Sequence, residues 1–187
     1  MIEVKVKDCV ADKLKLPQVK VSLGCGLHWK QPFEEWINQD AVENEHTDIV
    51  CTWDSIPLPD RCADFIEGGD VCEHLEMWNR DRILKEWFRL LKIGGKVRLS
   101  TPNLHRTMVA YANKEITLEN AIQNLYAWMT NRYEQHYYTY TQETLRDLLI
   151  QYGFKNIDFS ESPGVDGNSD KSMSWWLVVS AEKERDV

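Results

Sequence analysis

Two glycines, Gly24 and Gly26, directly follow the β-rich run Val19–Leu23 (VKVSL). A chain that turns on glycine offers bare backbone N–H groups, so a carboxylate or phosphate can approach where a β-carbon would block it. Asp40 ends the next short run, Ile37–Asp40. It stands about as far past the glycines as the acidic residue that accepts hydrogen bonds from ribose hydroxyls in Rossmann-type sites. Together the glycine turn and Asp40 point to an adenosine-bearing ligand. A dinucleotide is disfavoured, because Leu27, His28 and Trp29 stand where a third glycine would let helix and strand close up. Side chains able to take a proton are Asp70, His74, His105 and His136. For His74 the plainer expectation is a histidine at a helix start bonded to backbone. Cys72 and His74 have the chemistry of metal ligands, but no second pair stands near them at ligand spacing, and no metal is expected.

These residues need a scaffold that brings strand ends together. Asp48–Trp53 and Asp64–Glu67 read as further short strands. Asn79 can cap a helix whose apolar positions are Ile83, Leu84, Trp87, Phe88, Leu90 and Leu91, stopped by Gly94 and Gly95. The strand Lys96–Ser100 follows and is ended by Pro102 and Asn103. Thr117 can cap a helix through Leu118, Ala121, Ile122, Leu125 and Met129; Thr141 can cap another through Leu145, Leu148, Leu149 and Tyr152, ended by Gly153. Phe154–Phe159 and Ser174–Ala181 read as closing strands, separated by the turn-rich ESPGVDGNSDKS. Strands alternating with helices predict a parallel sheet whose ligands lie at the strands' carboxyl ends.

Composition narrows the partners. The chain has 187 residues, 43% of them hydrophobic, which suits one domain with a covered sheet. The formal charge of -8 opposes binding to a phosphate backbone, so nucleic acid is not expected. Five cysteines without a CxxC pair predict reduced thiols rather than a disulfide framework. No long apolar run predicts a membrane span, and MIEVKVKDCVADK lacks a signal-like stretch, so a cytoplasmic location is expected.

With these landmarks in order, the chain resembles the class I S-adenosylmethionine-dependent methyltransferases, in particular a small subgroup whose first strand ends in LGCG. The resemblance rests on SLGCG (22–26), WINQD (36–40), IPLPDRCADFI (56–66), VCEHL (71–75), LKEWFRLLKIGGKVRLSTPN (84–103) and QYGF (151–154). It implies a Rossmann-like α/β fold: a seven-stranded, mostly parallel sheet with helices on both faces and an antiparallel last strand. It also implies S-adenosylmethionine as cofactor. Gly24, Cys25 and Gly26 would pass its methionine and ribose part, and Asp40 would hold the ribose hydroxyls. Thr52, Trp53 and Asp54 would flank the adenine, with Gly69 and Asp70 beside the sulfonium. Ser22, His28, Thr52 and Asp70 depart from residues common in the group. The expected reaction is methyl transfer to a small-molecule acceptor, with Asp70 and His136 as catalytic candidates. A helical and aromatic insert at about 104–140 would cap the site, offering Tyr133, Tyr137, Tyr138 and Tyr140 to the acceptor. The alternatives are aminopropyl transfer on the same scaffold and a non-catalytic cofactor-binding regulatory domain.

Overall fold

The computed structural model describes residues 2–26, 33–127, 134–159 and 175–185. Eight strands form one sheet: β1 (Lys5–Val6), β2 (Lys20–Leu23), β3 (Trp36–Asp40), β4 (Ile49–Val50), β5 (Ala63–Gly69), β6 (Leu91–Pro102), β7 (Phe154–Asp158) and β8 (Trp176–Lys183). Their spatial order is β1-β4-β3-β2-β5-β6-β8-β7. Strands β4, β3, β2, β5 and β6 run parallel, whereas β8 is antiparallel to both β6 and β7. This is the Rossmann-like methyltransferase arrangement with an antiparallel closing strand. Seven strands match expectation; the eighth, β1, is an added edge strand antiparallel to β4. Val4 and Val6 are both exposed, so this segment buries neither face and carries no amphipathic signal.

Consecutive strand residues point to opposite faces, and Val21, Ser22 and Leu23 are all buried, as are Trp36 to Gln39. Both faces of the central sheet are therefore covered. The helices are α1 (Cys9–Lys13), α2 (Arg80–Leu90), α3 (Leu104–Ala112), α4 (Leu118–Tyr126) and α5 (Gln142–Gln151). In α2 the expected stripe Ile83, Leu84, Trp87, Phe88 and Leu90 is buried. Two details differ. Asn79 stands at the N-cap position but makes no capping bond; its Nδ2 donates to Asp54 Oδ2 at 3.4 Å. The helix also stops at Leu90 rather than at the glycines, because Leu91 already pairs with Ala63 and the register shifts before Phe65 meets Lys96.

Helix α3 was not foreseen, although Asn103 caps it by accepting from Arg106 N. Helices α4 and α5 begin at Thr117 and Thr141 as expected, each in a capping box. The stripe of α4 is less covered than its periodicity predicts: Ala121 is buried, but Leu118 and Ile122 are exposed. The strand expected over Asp48–Trp53 is only β4, since Cys51 N bonds to Asp40 O and the chain then turns into the site. The ESPGVDGNSDKS segment, Met129 and the Leu27–Trp29 stretch that follows the glycine turn lie outside the described residues. Among the described residues no helix is long and apolar enough to cross a membrane.

Candidate active site

Four parallel strands, β2, β3, β4 and β5, end at one cleft of about 830 Å³. Its wall includes Gly24 and Gly26 after β2, Asp40 at the end of β3, Thr52, Trp53 and Asp54 after β4, and Asp70 after β5. Another hollow, of about 640 Å³, lies among Asp60, Arg61, Lys85, Arg89 and Lys183. It sits near the start of β6, where Lys183 Nζ donates to Phe88 O and Leu91 O, away from the strand ends that gather the predicted residues.

Gly24 and Gly26 adopt φ of +60° and +56°, which L side chains rarely tolerate. A β-carbon at Gly24 would lie 2.6 Å from Val71 Cγ1, whereas one at Gly26 would meet no described residue closer than Gly24 O at 4.0 Å. Asp40 fastens this turn. Its Oδ2 accepts from Gly26 N at 2.9 Å and its Oδ1 from Val42 N at 2.8 Å. Cys25 is buried, its N–H donates to Gln39 O, and it does not line the cleft as the glycines on either side do. Burial pushes its thiol up to about 11.

Sequence reasoning passed over two positioning residues. Gln39 is fully buried; its Oε1 accepts from Gly24 N at 3.4 Å while its Nε2 donates to Cys51 O at 2.7 Å. It thus ties the glycine turn to the Thr52–Asp54 turn. Asp48 locks the neighbouring crossover, its Oδ2 accepting from Asn38 N and from Lys13 Nζ. A polar residue inside a strand ending in Asp was the available signal for Gln39.

The Trp53 indole N–H is buried with no hydrogen-bond partner among the described residues, and it lies 4.0 Å from the β-carbon position of Gly24. An orphaned donor of this kind invites a ligand acceptor. Burial opposes ionisation of Asp54, but hydrogen bonds from Thr52 and Asn79 and the nearby Arg82 charge outweigh it and hold the carboxyl below its ordinary range. Gly69 is half-buried at the end of β5. Asp70 also has positive φ, and its N–H donates to Ser100 O while Ser100 Oγ donates to its Oδ1 at 2.9 Å. Asp70 is solvent-exposed at the cleft, and desolvation by the protein on its inner side raises its pKa, against hydrogen bonds from Ser100 and Trp176.

Behind Asp70, the short turn Cys72–His74 meets a strap formed by residues 134–140. Tyr137 N and Tyr138 N donate to Glu73 O, and Leu104 N donates to Tyr140 O. Tyr137 lines the cleft and packs edge-on against Trp78. Tyr138 packs on Arg80 and on Tyr140, which is itself fully buried. Tyr133 lies outside the described residues. His136 does not line the cleft; its ring stands edge-on to His74 with centroids 4.9 Å apart, and its Nε2 is 4.0 Å from Glu73 Oε1. Glu73 is buried, and desolvation together with Asp70 pushes its carboxyl up to about 8. His105 is exposed at the start of α3 and does not line the cleft.

Six carboxylates, Asp40, Glu43, Asp54, Asp70, Glu76 and Glu134, line the cleft, with no Lys or Arg among its described lining residues. The residues present fit S-adenosylmethionine: a glycine turn open to ligand, a carboxylate at the second strand end, an unpaired indole donor and an acidic wall for a cation.

Comparison with known proteins gives the family and the fold. A family model described as a methyltransferase domain matches residues 10–158. A probable S-adenosylmethionine-dependent methyltransferase of Mycolicibacterium smegmatis is 42% identical over 48 residues, which span 26% of this chain and 18% of that relative. Among solved structures, a Thermotoga maritima S-adenosylmethionine-dependent methyltransferase, described as a possible histamine N-methyltransferase, superposes with TM-score 0.60 at 19% identity, covering 94% of this chain and 86% of its own. A Burkholderia thailandensis 1,6-didemethyltoxoflavin-N1-methyltransferase, solved with S-adenosylhomocysteine, gives TM-score 0.60 at 15% identity, covering 96% and 80%.

Proposed function

Because the chain belongs to the methyltransferase-domain family, we propose that it binds S-adenosylmethionine in the cleft at the ends of β2–β5 and transfers its methyl group to a small, non-anionic acceptor. The observation that carries this reading is the joining of Asp40 to the glycine turn: one carboxylate both holds Gly26 N–H and faces the cleft. Asp40 accepts the ribose hydroxyls, the Gly24–Gly26 backbone passes the methionine and ribose part, and Thr52–Asp54 flank the adenine, with the Trp53 N–H taking a ligand acceptor. S-adenosylmethionine supplies, when bound, a methyl group on a sulfonium that leaves as a neutral thioether. Asp70, which follows Gly69 at the end of β5, lines the sulfonium end; a carboxylate about 4 Å from a unit cation gains roughly 4 kcal/mol at intermediate dielectric.

The residues then have to place the acceptor in line and keep water out, which supplies most of the rate gain in a displacement of this kind. Asp70, whose pKa is raised, is the group suited to take a proton from an acceptor N–H or O–H. The strap that carries His136 and Tyr137 forms the acceptor side, as part of an insert spanning about 104–140. Tyr138 and Tyr140 act there through packing, since their rings lie on Arg80 and on each other. The acidic wall supports cationic or neutral acceptors over phosphorylated ones. The relatives favour neither aminopropyl transfer nor a non-catalytic role. Function in the cytoplasm, on a soluble acceptor, belongs to the same proposal.

The test has two arms on one preparation: calorimetric titration with S-adenosylmethionine, and S-adenosylhomocysteine release with an acceptor panel led by amines, a choice supported by the possible histamine enzyme among the fold neighbours. Saturable binding with acceptor-dependent release is expected. A folded protein that does not bind S-adenosylmethionine refutes the proposal.

A further inference from the structure

Glu73, His74 and His136 each offer one ligand atom, and these atoms lie within 4.8 Å of one another. Three features of the cluster point to a bound cation, and the first is costly without one. Glu73 is 1% exposed and neither of its carboxylate oxygens has a hydrogen-bond partner among the described residues; the Thr101 hydroxyl is near enough to ease the charge but makes no well-formed bond. A buried carboxylate left unpaired costs several kcal/mol unless it is protonated or meets a cation, at an order of magnitude set by desolvation. Each imidazole has its Nδ1 beside a backbone carbonyl, His74 at 3.0 Å from Gln135 O and His136 at 3.3 Å from Asn124 O. That leaves Nε2 of both rings as lone-pair donors, the tautomer that ligating histidines adopt when their other nitrogen is fixed by a carbonyl. Finally, the strap bearing His136 is bonded to Glu73 O through Tyr137 N and Tyr138 N, so backbone hydrogen bonds bring the donors together from segments far apart in sequence.

We propose that Glu73, His74 and His136 form a binding site for one divalent first-row transition-metal ion at the acceptor side of the cleft. Two neutral imidazoles and one carboxylate suit ions such as Zn2+, Co2+ or Fe2+ rather than Mg2+ or Ca2+, which favour all-oxygen shells. Tetrahedral coordination at about 2.05 Å puts ligand atoms about 3.3 Å apart. The 4.0 Å between His136 Nε2 and Glu73 Oε1, and the 4.8 Å that bounds all three pairs, therefore need side-chain closure of at most about 1.5 Å per pair. Three protein ligands would leave a coordination position free, and one of them, His74, lines the cleft together with Asp70. The ion would orient an acceptor through its donor heteroatom. This last role rests on the methyl-transfer reading; the metal site itself does not.

The test uses the full chain, stripped with chelator and dialysed. Co2+ alone and Zn2+ alone are titrated by calorimetry, Co2+ also by its visible ligand-field bands, and thermal unfolding is followed with and without metal. One equivalent of Zn2+ should bind and raise the melting temperature. Affinity should fall at least about tenfold in Glu73→Gln and in His136→Asn, with loss of the wild-type Co2+ spectrum. Glu73→Gln, which keeps the side-chain shape without the buried charge, should fold at least as stably as the metal-free wild type, and it remains the deciding variant if a histidine variant fails to fold. The absence of saturable binding to folded wild type, or equal affinity in wild type and Glu73→Gln, overturns the site; the latter marks an ion held elsewhere on the surface. S-adenosylmethionine titration of the same samples separates the two ideas: cofactor binding without metal binding defeats only the metal site, and the reverse defeats only the cofactor reading.

Discussion

Gly24 and Gly26 share a left-handed backbone conformation but face different surroundings, and the contrast between them tests the cleft directly. At Gly26 an added methyl meets no described residue nearer than 4.0 Å, so the expected cost to the fold is that of the positive φ, about 1–2 kcal/mol. For a chain of this length that lowers the melting temperature by roughly 2–8 °C. The same methyl points into space the ligand would occupy. Gly26→Ala should therefore stay folded at 25 °C and lose more than about tenfold in S-adenosylmethionine affinity, or about 1.4 kcal/mol. At Gly24 the methyl would lie 2.6 Å from Val71 Cγ1. Overpacking then adds roughly 1–3 kcal/mol to the φ cost. Val71→Ala removes that γ-carbon, so the double variant Gly24→Ala/Val71→Ala should be more stable than the sum of the single effects predicts. Thermal unfolding reads the stability and calorimetry reads the affinity. Wild-type affinity in Gly26→Ala would place the cofactor elsewhere; additive stabilities at Gly24 and Val71 would refute the steric account.

Asp40→Asn should weaken S-adenosylmethionine binding by about 1–3 kcal/mol, because both Asp40 oxygens accept backbone N–H groups and an amide can serve only one of them; unchanged calorimetric affinity in the folded variant would remove Asp40 from the site. Burial raises the Cys25 thiol to about 11 and the Cys51 thiol to about 12, from 9.0, so both should resist alkylation at pH 8 until the protein unfolds. The folded state holds these protons longer than the unfolded chain does, so stability is intact below pH 9 and falls above it, by at most about 1.4 kcal/mol per pH unit and thiol; chemical denaturation between pH 8 and pH 10 measures the slope, and a flat profile contradicts it. Tyr140→Ala should destabilise the fold by about 3–5 kcal/mol, as expected for a fully buried ring. Tyr137→Ala should change stability by less than about 1 kcal/mol while altering acceptor KM; equal melting temperatures for the two variants would show that the strap is not divided between packing and cleft.

The cofactor side was largely legible because its parts are local: a strand, a glycine turn, a strand ending in Asp40. Periodicity likewise marked α2 and α5, whose apolar stripes are buried. What stayed hidden depends on contacts between distant segments or on faces that bury nothing. β1 has two exposed residues and shows no alternation. Helix α3 has a short sequence whose capping Asn103 also reads as a strand end. Gln39 looks like an ordinary polar strand residue until its amide is seen bridging two turns. Cys72 and His74 looked like an unsupported pair because the imidazole that meets His74 comes from the strap, whose Gln135 lies 61 residues further along.

The position of β8 has a consequence for the order in which the chain can assemble. β7 pairs with β8 and with no other strand among the described residues, and β8 also completes the edge of β6, joining Lys96 to Glu182 and Pro102 to Trp176. During synthesis the parallel strands from β4 to β6 can emerge and pair in sequence, but β6 stays an open edge and β7 has nowhere to dock until residues 176–183 leave the ribosome. Such distant pairing slows folding and leaves an unpaired strand edge exposed meanwhile. The nascent protein is thus most prone to association with other unfinished chains in the interval between the emergence of β6 and that of β8.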